Sequence, residues 1–170
     1  AIAAVHDTLS EGLSQNVDFD IVFDRVLILV AEVASRTQQI IKPTLKGSFG
    51  ILPSEYATPL ALVLTELVTN AVEHGLRDQD AGDVTILAAR SEEELNVQVE
   101  DSGAGLPAGK VVDGLGSQIV RNLVEGELGG TIEWKNRAGK GTEVSIQVPM
   151  RFISDPSDND PEAEDPATHS

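Results

Sequence analysis

The 170-residue chain contains no cysteine, one methionine, one tryptophan, one tyrosine and four phenylalanines, and aromatic residues make up only 4% of it. Without thiols there can be no disulfide framework, zinc ribbon, iron–sulfur centre or thiol nucleophile. Long hydrophobic runs are missing as well. The longest near the start, Ile21 to Val33, is interrupted by Asp24, Arg25 and Glu32, and it falls far short of the roughly 20 apolar residues that cross a bilayer. No basic stretch leads into an apolar segment and a small-residue cleavage site, as a secretory leader requires. Basic residues are scarce too: 12 Lys and Arg stand against 28 Asp and Glu, and they form no dense run. A nucleic-acid groove needs clustered cations, so the pattern argues against direct nucleic-acid binding.

What remains is the composition of one domain, with 41% hydrophobic residues and a net charge of -16. A chain of roughly 150 residues buries about two-thirds of its unfolded surface, enough for a core without covalent staples. The chain starts without Met and within a helical pattern, Ile2, Val5, Leu9 and Leu13, which predicts a piece of a longer protein. At the other end, Ser154 to Ser170 carries three Pro and six acids but no base. Such a segment is expected to remain a solvated, disordered acidic tail. The charge poses a question, since an acidic protein repels phosphorylated ligands unless its local field differs from its average.

Val17 to Ser35 has helical periodicity, with Val22, Val26, Leu29, Val30 and Val33 on one face and Asp18 or Asp20 as N-cap. Ile40 to Phe49 reads as a strand that Pro43 confines to a sheet edge. Thr58-Pro59 predicts a helix start, followed by Leu60, Val63, Leu64, Leu67, Val68 and Ala71 at helical spacing, with Gly75 as the stop. Two strands, Asp83 to Arg90 and Glu94 to Glu100, turn at S-E-E-E; a glycine-rich stretch then leads to a helix through Ile119, Val120, Leu123, Val124 and Leu128. Thr131 to Lys135 and Thr142 to Val148 are strands joined by N-R-A-G-K-G. The order predicts an α+β fold, a two-layer sandwich with helices on one face of a mixed, mostly antiparallel sheet.

Four constellations carry chemistry. Glu66, Asn70 and Glu73 fall at i, i+4 and i+7 of one helix, a stripe of oxygens suited to Mg²⁺ with its shell completed by water and phosphates. Asp101-Ser102-Gly103-Ala104-Gly105 follows a strand; the carboxylate can accept a hydrogen bond from an exocyclic amine, and the glycines allow a flat ring to approach. Gly114-Leu115-Gly116-Ser117 opens a helix, where free N–H groups and the helix dipole favour an anion. Gly139-Lys140-Gly141-Thr142 enters the last strand and offers backbone donors, a hydroxyl and a cation. Taken singly, each also fits a bland reading: a solvated helix face, a tight turn, a glycine cap and a hairpin.

In order, T-E-L-V-T-N-A-V-E-H, D-S-G-A-G, G-L-G-S-Q-I-V and G-K-G-T resemble the N, G1, G2 and G3 boxes of the Bergerat ATP-binding fold, which gyrase, Hsp90, histidine kinases and MutL share. With A-A-V-H-D-T-L-S-E-G, D-F-D-I-V-F-D-R-V and I-K-P-T-L-K-G, the chain most resembles sensor histidine kinases of the HisKA_2 class, the PdtaS-like members in particular. The resemblance implies the close of a dimerisation helix at residues 1–16, an ATP-binding catalytic domain at 17–153 and the tail at 154–170. It implies a cytoplasmic kinase that binds ATP and Mg²⁺ and phosphorylates a His on its own dimerisation helix. It further implies a full-length homodimer and a response regulator as partner, with an RNA-binding ANTAR output. Asn70 would bind Mg²⁺ and Glu66, the catalytic carboxylate, would polarise a metal-bound water or the phosphoacceptor. Asp101 would read the adenine amine between Gly103 and Gly105, while Gly114, Gly116 and Ser117 cover the phosphates. Thr142 would support Asp101 through its hydroxyl or a water bridge, and Gly141 would line the nucleotide site. Such kinases often carry Lys where this chain has Glu73, so His74, Arg77, Lys110 or Lys140 would have to supply the phosphate charge. The lid, Leu106 to Asp113, is short and lacks a Phe-containing box. His6 is followed by Asp7, but the 64 positions from His6 to Asn70 leave no room for a second dimerisation helix. The acceptor is therefore expected upstream, and this chain alone is not expected to autophosphorylate. Two alternatives stand beside this reading: a serine kinase of the anti-sigma-factor type, and a non-catalytic ATP-sensing module.

Overall fold

The computed structural model describes residues 16–36, 38–76, 79–105 and 115–150. The expected dimerisation-helix end lies outside them apart from Asn16, as do the whole lid and the whole acidic tail. In chain order the elements are β1 (Asn16–Asp18), α1 (Phe19–Arg36), β2 (Ile40–Gly47), β3 (Ile51–Pro53), α2 (Ser54–Asn70), β4 (Ala81–Arg90), β5 (Glu94–Asp101), α3 (Leu115–Asn122), β6 (Thr131–Asn136) and β7 (Thr142–Pro149). A π-helical turn prolongs α2 over Ala71–Gly75, and another prolongs α3 over Leu123–Glu127.

Five strands form one sheet in the order β2-β4-β5-β7-β6. β2 runs parallel to β4 and every other pairing is antiparallel, so the sheet is mixed and mostly antiparallel, with β2 at the edge as Pro43 required. Alternation defines its covered face. Val84, Ile86 and Ala88 of β4, Leu95, Val97 and Val99 of β5, and Val144, Ile146 and Val148 of β7 are all buried, as the period of two demands. Their register stacks Ile86 opposite Val99, and Val97 opposite Ile146. Phe19, Val22, Phe23, Val26 and Val30 of α1 and Leu60, Val63, Leu64, Leu67 and Val68 of α2 join the same core.

Two expectations need correction. The first helix begins at Phe19 rather than Val17, because Asn16–Asp18 pairs with Ile51–Pro53 in a small antiparallel ribbon. Asp18 still marks the helix start, its Oδ1 accepting the N–H of Asp20 at 3.2 Å. The second helix begins at Ser54, not at Thr58-Pro59, so Pro59 lies inside it. Pro53, at φ -55° and ψ 143°, is the residue that turns the chain from strand into helix. Tyr56, Ala57 and Leu60 already face the core, so burial carries the helix through the proline, which forfeits the backbone bond to the carbonyl of Glu55. The ribbon is tied to the main sheet by Arg90, whose Nη1 donates to the carbonyls of Phe49 and Ile51 at 3.0 and 2.7 Å. Among the described residues no helix is long and apolar enough to cross a membrane.

Candidate nucleotide-binding site

The alternation that buries Leu95, Val97 and Val99 also directs Asp101, the last residue of β5, to the helix-covered face. Asp101 is 6% exposed and is the one buried charged side chain among the described residues. Its Oδ1 accepts the backbone N–H of Gly103 at 2.9 Å and that of Thr142 at 3.3 Å. Oδ2 makes no hydrogen bond there, and no described buried side-chain oxygen lacks a partner, so Oδ2 keeps access to solvent and to ligand. Burial pushes the carboxyl above its ordinary value; the two amides and the charge of Arg137 pull in the other direction.

Glycine permits the surrounding backbone to close in. Gly141 has φ +105°, and a Cβ there would lie 1.9 Å from the carbonyl oxygen of Asp101; Gly105 has φ +83°, with a Cβ position 2.8 Å from Oδ1 of Asn136. The loop after β5 and the β6–β7 hairpin therefore lie against each other. A reciprocal pair fixes the loop's other side: Ser102 N–H donates to the carbonyl of Asp83 at 3.1 Å, and Asp83 N–H donates to Ser102 Oγ at 2.9 Å. Gly103, the next residue, is buried.

On α2, Glu66 and Asn70 are both half-buried and share one stripe at i, i+4. Neither side chain makes a hydrogen bond or ion pair to a described residue. They present hard oxygen donors, the donor type Mg²⁺ takes. The chain thus fits Mg²⁺ held through one or two side-chain oxygens, with waters and phosphates as the remaining ligands. Glu73 departs from the expected stripe. The helix widens into a π turn at Ala71, where Leu76 N–H donates to the carbonyl of Ala71 at 3.0 Å, and the changed winding rotates later residues off the Glu66–Asn70 line. Glu73 and His74 are both exposed.

Gly116 and Ser117 are the second and third residues of α3, and Ser117 is half-buried. α3 and its π turn pack on α2, which brings the start of one helix and the oxygen stripe of the other into the same layer. Lys110 and Gly114 lie outside the described residues. Lys140 is exposed at the tip of the β6–β7 hairpin. Thr142 donates its main-chain N–H to Oδ1 of Asp101, where the expected link was its hydroxyl or a water bridge. Three contacts were not foreseen: the Ser102–Asp83 pair, the clamp of Gln39 Nε2 on the carbonyls of Leu76 and Gln79 after the π turn, and Arg137, whose Nη1 donates to the carbonyl of Asp101 at 3.0 Å. The hairpin signal around N-R-A-G-K-G sets Arg137 beside the end of β5 once the strands are paired, and it was the available clue.

Residues 55–151 match the family of histidine kinase-, DNA gyrase B-, and HSP90-like ATPases, and the chain belongs to that family. Within it, the chain is a histidine-kinase-type ATPase domain similar to that of the sensor kinase PdtaS. It is 44% identical over 154 residues to "Sensor histidine kinase PdtaS" of Mycobacterium tuberculosis, an alignment covering 88% of this chain and 30% of that protein. It is 39% identical over 103 residues to "Blue-light-activated histidine kinase 2" of Erythrobacter litoralis, covering 58% of this chain and 29% of that protein. The histidine kinase domain of the E. litoralis EL346 blue-light-activated kinase superposes with a TM-score of 0.70 at 27% identity, covering 86% of this chain and 70% of that one. The chain therefore spans about 30% of the length of the curated kinases it matches.

Proposed function

We propose that this domain binds Mg-ATP and delivers the γ-phosphoryl group to a histidine on a dimerisation helix of the same protein, from which it passes to the receiver domain of a response regulator. The observation that carries the reading is Asp101: a buried carboxylate at a strand end, its Oδ1 held by two backbone amides and its Oδ2 left open. An adenine amino group is a donor that such an oxygen accepts, and the Gly103 and Gly105 backbone flanks the ring without side-chain interference. Asn70 supplies an oxygen for Mg²⁺, which when bound screens phosphate charge. The N–H groups at the start of α3 receive phosphate oxygens, and exposed Lys140 adds local positive charge, with exposed His74 as a further side chain that can contact phosphate. Glu66 orients the acceptor imidazole and accepts its proton. Catalysis on this reading is positioning and charge neutralisation.

The full-length protein, incubated with Mg²⁺ and γ-labelled ATP, should acquire acid-labile, base-stable phosphate, and Asn70→Asp should abolish the labelling. Acid-stable label would favour a serine kinase. Nucleotide binding without any label would favour an ATP-sensing module.

A further inference from the structure

Arg137 follows β6 in the turn that leads to β7. Its main-chain N–H donates to the carbonyl of Gly141 at 3.0 Å and closes the turn. Its guanidinium reaches across to β5, where Nη1 donates to the carbonyl of Asp101 at 3.0 Å and Nη2 lies 3.6 Å from Oε2 of Glu100. From the same hairpin, Thr142 N–H donates to Oδ1 of Asp101. One hairpin therefore grips Asp101 at two points, the main-chain oxygen and the carboxylate. The missing Cβ of Gly141 is what allows the two backbones to approach. With both points held, the direction of Oδ2 is set by the hairpin rather than by the freedom of the Asp101 side chain. The planar guanidinium suits this task, since it spans a carbonyl and a carboxylate at once.

We propose that Arg137 is a positioning residue for base recognition: by holding the Asp101 carbonyl and Glu100 together, it fixes Oδ2 in the orientation that favours a purine with an exocyclic amino group over one with an oxo group at the same position. The proposal rests on the reading of Asp101 as the adenine-facing carboxylate. The guanidinium charge works in the same sense, because it favours the ionised carboxylate, which accepts an amine and repels a carbonyl.

The test is calorimetric titration of the 170-residue chain with ADP and with inosine diphosphate in Mg²⁺. The unaltered chain should prefer ADP. Arg137→Ala should weaken ADP about tenfold while leaving inosine diphosphate within about twofold, as loss of a charge-assisted hydrogen bond acting on one ligand group implies. Arg137→Lys, which retains charge and a donor, should recover part of the preference. Equal weakening of both nucleotides, or an unchanged preference, would overturn the proposal, because a merely structural role in the hairpin moves both ligands together. If Arg137→Ala does not fold, Arg137→Gln and Arg137→Lys carry the same comparison. Asp101→Asn separates the two levels. If it leaves the preference intact, the reading of the site fails; if it abolishes the preference while the Arg137 variants keep it, only the role of Arg137 fails.

Discussion

The backbone of Gly141 lies so close to Asp101 that a Cβ would sit 1.9 Å from the Asp101 carbonyl oxygen. That approach joins the two glycine boxes around one carboxylate, and it depends on a residue with no side chain at φ +105°. Gly141→Ala adds both a left-handed strain and a backbone clash. It should lower unfolding free energy by about 2–4 kcal/mol and weaken nucleotide binding with it, as measured by chemical denaturation and calorimetry on the same preparation.

Asp101 trades stability for recognition. Burial raises its folded-state value above the ordinary 3.8, so the folded protein holds the proton more tightly than the unfolded chain. Its favourable contribution is present below the unfolded value and is lost as pH rises through the folded one. Asp101→Asn should therefore flatten the decline in stability across that window and leave the protein no less stable at neutral pH, while nucleotide affinity falls about 10- to 100-fold. Denaturant titrations from acid to neutral pH, compared between the two proteins, check the slope.

The aromatic cluster at the β1–β3 end provides a test away from the site. Phe49 is fully buried, with ring centroids 4.9 Å from Phe19 and 5.0 Å from Phe23. Phe49→Ala should cost about 3–5 kcal/mol, seen as a lower denaturation midpoint. Because Asp20 Oδ1 also accepts the N–H of Phe49, this position ties α1 to the ribbon, and amide exchange should speed up in both.

Net charge should matter less to nucleotide affinity than local donors do. Removing Ser154 to Ser170 deletes six acids, and physiological salt damps charge effects over a Debye length of about 8 Å. The deletion should change nucleotide affinity less than about twofold, whereas chelating Mg²⁺ should weaken ATP binding strongly. Titrations with and without EDTA, on the full and shortened chains, compare the two effects.

The layered fold was legible because its signals are periodic. The alternation in β4, β5 and β7 and the helical spacing from Leu60 to Val68 depend on burial, and burial decides both. Boundaries were set by chemistry that a linear reading sees poorly. Pro59 carried the helix-start signal, yet the start lies at Ser54, where core contacts of Tyr56 and Ala57 outweigh it. The short β1–β3 ribbon depends on pairing across more than thirty positions, and three-residue strands carry no period. In the site, the strand end identified Asp101, and local turn chemistry identified the glycines. Arg137 and Ser102 act through contacts made only when β5 lies beside β7 and β4, so their roles required the sheet order. The expected Glu66–Asn70–Glu73 stripe lost its last member because a helix-period argument assumes α winding, and the chain leaves it at Ala71.

The account turns on whether Asp101 recognises a nucleotide, and titration of Mg-ADP into the 170-residue chain and its Asp101→Asn variant measures that directly. The account predicts saturable one-to-one binding for the unaltered chain, and binding by the variant weakened at least about tenfold. No heat at millimolar nucleotide, or equal affinity for the two proteins, would contradict it.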